Sequence, residues 1–178
     1  MKQLFLFFIV LYLGLFFDNM NIFRLCILSS LLHEAGHIIA YRLCYKKWPQ
    51  IDVSVFGLKM KNNVILNKNT IFILLSGPFI NLMAVVFSLI YTNIRYTFDI
   101  CIFAITNFFI FMFNILPVYY LDGGQILYCL WPFYQRNYRK ISILTIILVC
   151  VMLIYFTGFN IGLPLVATYF TFNILNDI

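Results

Sequence analysis

Asn21-Ile22-Phe23-Arg24-Leu25-Cys26-Ile27-Leu28-Ser29-Ser30-Leu31-Leu32-His33-Glu34-Ala35-Gly36-His37-Ile38-Ile39-Ala40-Tyr41-Arg42-Leu43-Cys44 is an apolar run with three ionisable side chains near its middle. As a helix it rises about 36 Å, enough to cross a hydrocarbon core of about 30 Å. An ionisable group at that depth costs several kcal/mol unless it has a partner. His33 and His37 are the chain's two histidines, and Glu34 is its one glutamate. The rarest residues thus gather where they are costliest, and a purely structural reading leaves that unexplained. Positions i and i+4 of a helix lie on one face, so the two imidazoles can share a zinc ion. Glu34 sits beside them as a base for water, which is the HExxH arrangement of zinc proteases.

The rest of the chain fits a membrane setting. Of 178 residues, 63% are apolar and only 10% charged, too few polar groups to cover a soluble domain of this size. The net charge of +6 raises nucleic acid as a partner. The basic residues lie in short breaks between apolar runs, with no basic helix face, so anionic lipid headgroups are the better partner and nucleic acid is excluded. The five cysteines lie in or beside apolar runs without a CxxC pair and read as small buried hydrophobes.

Six segments follow from the apolar runs. The first, Leu4 to Phe17, is short and is followed by Asp18-Asn19 rather than by a small-residue cleavage site, so it reads as an uncleaved span. The second is the opening stretch. The third runs from Thr70 to Tyr91 and contains Ser76-Gly77-Pro78, with Asn81 one turn further on, placed to bond a freed carbonyl or another helix. The fourth runs from Asp99 to Leu116, breaks at Pro117 and resumes beyond Asp122-Gly123-Gly124. Residues 134–140 read as a basic loop, the fifth segment as Ile141 to Phe156 and the sixth as Ile161 to Ile174. Between the second and third segments, Ile51 to Leu66 alternates in the manner of a β-hairpin at the membrane surface, with Asn62-Asn63 as its turn. The expected fold is therefore an all-α polytopic membrane protein of about six transmembrane helices with one small membrane-associated hairpin. Residues 1–178 read as a single membrane-embedded domain with a catalytic core over roughly 21–133. With six spans, ten basic residues fall on the side of both termini and two, Arg24 and Arg95, on the other, which puts the termini in the cytoplasm.

Catalytic zinc usually takes three protein ligands and leaves a position open. No further histidine or glutamate exists, so the third ligand is sought among the aspartates. Asp18 and Asp99 lie at the far edges of their segments, Asp52 in a surface loop and Asp177 in the tail. Asp122 alone stands at a helix break at the depth of His33. Cys26, Cys44 and Cys129 are weaker rivals. Asn114, ahead of the break, is placed either to donate a hydrogen bond to a peptide carbonyl or oxyanion or to join helices.

His33-Glu34-Ala35-Gly36-His37 together with Asn114-Ile115-Leu116-Pro117-Val118-Tyr119-Tyr120-Leu121-Asp122-Gly123-Gly124 resembles the site-2 protease family of intramembrane zinc metalloproteases. The second stretch fits that family's NxxPxxxLDG motif. Ser76-Gly77-Pro78-Phe79-Ile80-Asn81-Leu82 resembles its GPxxN segment. The likeness covers residues 25 to 130, the family's three-helix core. Six spans without an inserted PDZ domain resemble the sporulation branch, that of the stage IV sporulation protein FB, whose members often carry a C-terminal CBS domain that these 178 residues do not contain. The resemblance implies one Zn2+ per chain, a membrane-anchored protein substrate, a regulatory membrane protein as a further partner, and residence in a bacterial cytoplasmic membrane. It also implies a hairpin that pairs with an unwound substrate strand.

The expected activity is hydrolysis of peptide bonds of membrane-anchored proteins. His33, His37 and Asp122 are the expected metal ligands, and Glu34 and Asn114 the expected catalytic residues. The alternatives are a non-catalytic zinc-binding membrane protein, which would need a site closed by four ligands, and a transporter, which would need polar residues spread over several spans.

Overall fold

The computed structural model describes residues 14–16, 18, 21–49, 51–54, 57–60, 68–157 and 171. Its elements, in chain order, are α1 (Ile22–Tyr45), β1 (Ile51–Ser54), β2 (Gly57–Met60), α2 (Lys68–Thr92), α3 (Phe98–Ile115), α4 (Asp122–Leu130) and α5 (Pro132–Thr157). Four of these, α1, α2, α3 and α5, contain stretches long and apolar enough to cross a membrane. Large apolar side chains along them face outward, among them Leu28, Leu43, Phe87, Phe109 and Val151. In water that would be a liability, whereas in lipid it is the expected outer surface. The chain is an α-helical integral membrane protein. The expected first and sixth segments fall largely outside the described residues.

Two compact units make up the chain, Met1–Met112 and Phe113–Ile178. In the first, α1 packs along α2. The contact is close because small residues meet there: a Cβ added to Gly36 would stand 2.7 Å from the Ser76 carbonyl oxygen and 3.0 Å from the Cα of Gly77. Helices in lipid gain little from apolar burial against one another, so close backbone approach and polar bonds hold them together. Two such bonds are Asn81 Nδ2 to Asn107 Oδ1 at 2.9 Å, joining α2 to α3, and Asn107 Nδ2 to Ser29 Oγ at 2.8 Å, joining α3 to α1. Of the two roles open to Asn81 in the sequence, it takes the interhelical one.

The start of α1 is set by Asp18, whose carboxylate accepts from the backbone N–H of Phe23 at 3.1 Å and of Arg24 at 2.9 Å. These groups have no partner within the helix. Pro78 lies inside α2 without ending it.

β1 and β2 pair antiparallel, Ile51 opposite Met60 and Ser54 opposite Gly57. The strands lie in the expected stretch, four residues against four. Asn62-Asn63, expected as the turn, lie outside the described residues. Residues 61–67 lie outside the described residues.

In the second unit α4 packs on α5. The basic stretch 134–140, expected as a loop, is helical: α5 begins at Pro132. Proline at the first helical position loses no hydrogen bond and has its φ already set for a helix. Tyr134, Tyr138 and Ser142 then recur at helical spacing. Tyr134 is fully buried and donates to the Pro117 carbonyl at 2.9 Å, while Ser142 Oγ accepts from the Tyr119 N–H at 3.1 Å. One face of α5 thereby holds residues 117–119, the irregular segment between α3 and α4. Val118, Leu121 and Ile146 form the small apolar core behind it.

Candidate metal centre

His33 and His37 are both buried and lie one helical turn apart in α1. Their rings stand nearly perpendicular, with centroids 4.8 Å apart. Each Nδ1 has a fixed partner from α2. His37 Nδ1 lies 2.7 Å from the Ile73 carbonyl oxygen, and His33 Nδ1 lies 2.8 Å from Asn81 Oδ1. A carbonyl can only accept, so Nδ1 of His37 carries the ring proton and Nε2 presents its lone pair. The Asn81 oxygen does the same for His33. Such outer partners are what orient metal-binding imidazoles and raise their basicity.

Pro78 follows the residues that make the first of these contacts. It has no N–H to offer Leu74, and its ring crowds that carbonyl. In the turn ahead of it, the Ile73 carbonyl takes two side-chain donors, His37 Nδ1 and Ser76 Oγ, the latter at 2.5 Å.

The two Nε2 atoms lie 3.2 Å apart. Two lone pairs turned toward each other at this distance repel unless a positive charge sits between them. Two imidazole nitrogens on one tetrahedral zinc ion, each about 2.0–2.1 Å from it, stand about 3.3 Å apart. The pair therefore fits a zinc ion. Gly77 makes room for it: a Cβ there would overlap Nε2 of His37 and crowd Cε1 of His33. Glu34, between the histidines in sequence, is half-buried.

In the second unit, Asp122 is the first residue of α4 and is buried. A carboxylate in the first turn of a helix is stabilised by the N-terminal end of the macrodipole. Leu121 ahead of it is extended and supplies no side-chain cap. The two glycines that follow lie against backbone. A Cβ on Gly123 would strike the Ile115 carbonyl, and one on Gly124 the Val118 carbonyl. Asp122 is thus held by a helix start pressed onto the residues before it, with Leu121 N–H bonded to the Val118 carbonyl at 2.9 Å. Asn114 occupies the last turn of α3 and is half-buried.

Sequence reasoning singled out His33, Glu34, His37, Asn81, Asn114 and Asp122, and of these the structure brings His33, His37 and Asn81 together by the contacts given above. It missed Ile73, whose contribution is a backbone carbonyl and leaves no sequence signal. It also missed Asn107, one of two amides in the run Phe98–Ile115, the other being Asn114.

No family model and no curated protein matches the chain. Among solved structures it is similar to the Site-2 Protease from Methanocaldococcus jannaschii, with a TM-score of 0.65 and 22% identity over 97% of this chain and 86% of that one. The chain is thus a helical membrane protein with the fold of a site-2 protease. A paired-histidine centre suited to a metal ion lies in its first unit.

Proposed function

We propose that this protein is an intramembrane zinc metalloprotease that hydrolyses peptide bonds of membrane-anchored proteins. The observation that carries the reading is the pair of Nε2 atoms 3.2 Å apart, each imidazole held from behind by α2, with Glu34 between the two histidines in the sequence. His33, His37 and Asp122, each buried and each offering one donor atom, are the proposed ligands of one ion per chain. Three protein ligands leave a coordination position open, which is the catalytic and not the structural pattern.

Bound there, zinc would polarise the scissile carbonyl and make water acidic enough to lose a proton near neutral pH. Glu34 takes that proton and delivers it to the leaving amine, so water adds across the broken C–N bond. Asn114 donates a hydrogen bond to the oxygen on which negative charge develops. The substrate helix must unwind first, because its own hydrogen bonds shield its carbonyls. Among the described residues the sheet Ile51–Ser54 and Gly57–Met60 has two strands, and an unwound substrate strand would add at its edge.

The reading extends to six spans, the four described helices with Leu4 to Phe17 and Ile161 to Ile174 added, as in the sporulation branch. Both ends of the sequence lie in the cytoplasm, and anionic lipids contact the basic residues there. A membrane protein that regulates cleavage is a further proposed partner. The test is zinc content measured beside cleavage of a membrane-tethered substrate. Cleavage by protein that holds no metal would contradict the reading.

A further inference from the structure

His37 and His33 are oriented by different means. His37 bonds a backbone carbonyl, which cannot be anything but an acceptor. His33 bonds the side chain of Asn81, whose amide can present either oxygen or NH2. What decides between them lies one helix further away.

Asn81 Nδ2 donates to Asn107 Oδ1 at 2.9 Å and faces the Ser29 carbonyl at 3.4 Å. Asn107 Nδ2 in turn donates to the Phe103 carbonyl and to Ser29 Oγ, both at 2.8 Å. The Phe103 carbonyl only accepts, so the NH2 of Asn107 must face it and the oxygen must face Asn81. Asn81 must then turn its own NH2 to Asn107, which leaves its oxygen for His33. The chain has one direction: His33 Nδ1–H to Asn81, Asn81 to Asn107, Asn107 to Phe103 and Ser29. Flipping either amide sets oxygen against oxygen where Ser29, Asn81 and Asn107 are all 0% exposed, and a buried clash of acceptors is costly.

We propose that Asn107 is a positioning residue that, through Asn81, locks His33 in the tautomer whose Nε2 can bind a metal. It touches neither the metal position nor a substrate. The affinity part of the test rests on the zinc reading above, whereas the tautomer part does not.

With only two histidines in the chain, 15N labelling of histidine gives two ring patterns. Long-range 15N–1H correlations on the full chain in detergent micelles, before and after zinc is added, report each tautomer. In the zinc-free wild type both rings should carry the proton on Nδ1. In Asn107→Leu, His33 should become a mixture of tautomers while His37 is unchanged. Zinc affinity should fall about tenfold, the lower end of the loss from removing an outer-sphere partner. Adding Asn81→Asp to that variant should restore the His33 tautomer, because a carboxylate presents only oxygen and no longer needs Asn107 to orient it. If Asn107 served only to join helices, the double variant would be worse than the single. The inference is overturned by a wild-type His33 protonated on Nε2, a measurement that needs no variant. It is also overturned by an Asn107→Leu protein with an unchanged His33 tautomer, or by a double variant that does not recover. A wild-type chain with the expected tautomers that binds no zinc would instead count against the metal reading alone.

Discussion

Gly77 stands so close to His37 that a single added carbon on the glycine would overlap the Nε2 of the imidazole. The glycine lies in α2, one residue before Pro78, and the histidine in α1. The same carbon would stand 2.9 Å from Cε1 of His33. Gly77→Ala should therefore push the imidazoles off their partners while removing no polar group. Alanine is the better helix former, so α2 itself should not suffer. Zinc affinity should fall at least about tenfold. Isothermal titration with zinc on the purified variant checks this, and an unchanged affinity would mean that the rings do not hold the metal through Nε2.

Asp122→Asn should weaken zinc binding strongly, because the amide carries no charge and ligates zinc poorly. Asp18→Asn and Asp99→Asn should leave zinc content and cleavage near wild type. Asp18 binds the backbone N–H groups that open α1, and Asp99 lies exposed in the first turn of α3. Zinc stoichiometry of the three variants separates them. A folded Asp122→Asn protein with full zinc that still cuts would move the third ligand to Cys26, Cys44 or Cys129.

Tyr134→Phe removes the hydrogen bond to the half-buried Pro117 carbonyl from a fully buried hydroxyl. An orphaned buried acceptor costs about 1–3 kcal/mol. The thermal midpoint in detergent should fall measurably. Tyr138→Phe should have a smaller effect, since Tyr138 is only half-buried and its hydroxyl accepts from Arg139. Equal midpoints for Tyr134→Phe and wild type would show that α5 does not hold the Pro117 segment through this bond.

Lys47 and Arg95 are both exposed, with α2 between them in the chain. In a cysteine-free background, Lys47→Cys should react with an impermeant thiol reagent from the cytoplasmic side and Arg95→Cys from the opposite side. The ten-to-two charge bias motivates this orientation. Cytoplasmic labelling at residue 95 would reverse it.

The site was legible where chemistry is rare and position is costly. Two histidines and one glutamate in an apolar run could hardly be accidental, and Pro117 with Asp122-Gly123-Gly124 marked the break before α4. Of the partners behind the imidazoles, Asn81 was singled out but the Ile73 carbonyl and Asn107 escaped. The Ile73 carbonyl is backbone, and whether it meets His37 depends on how α1 packs along α2. Asn107 is one amide among aromatics, and its meaning depends on which helix it meets. The start of α5 was misplaced because charge was read as loop, although Pro132 and the spacing of Tyr134, Tyr138 and Ser142 carried the helical signal. The alternation of Ile51 to Met60 did place the strand pair.

Glu34→Gln tests the central claim most directly. The amide nearly matches the carboxylate in shape but cannot accept a proton at neutral pH. Zinc content and cleavage of a membrane-tethered substrate are measured together on this one variant. The account predicts wild-type zinc content and cleavage reduced by at least about a hundredfold, the lower bound of what a positioned general base contributes. Zinc retained with substantial cleavage would contradict it.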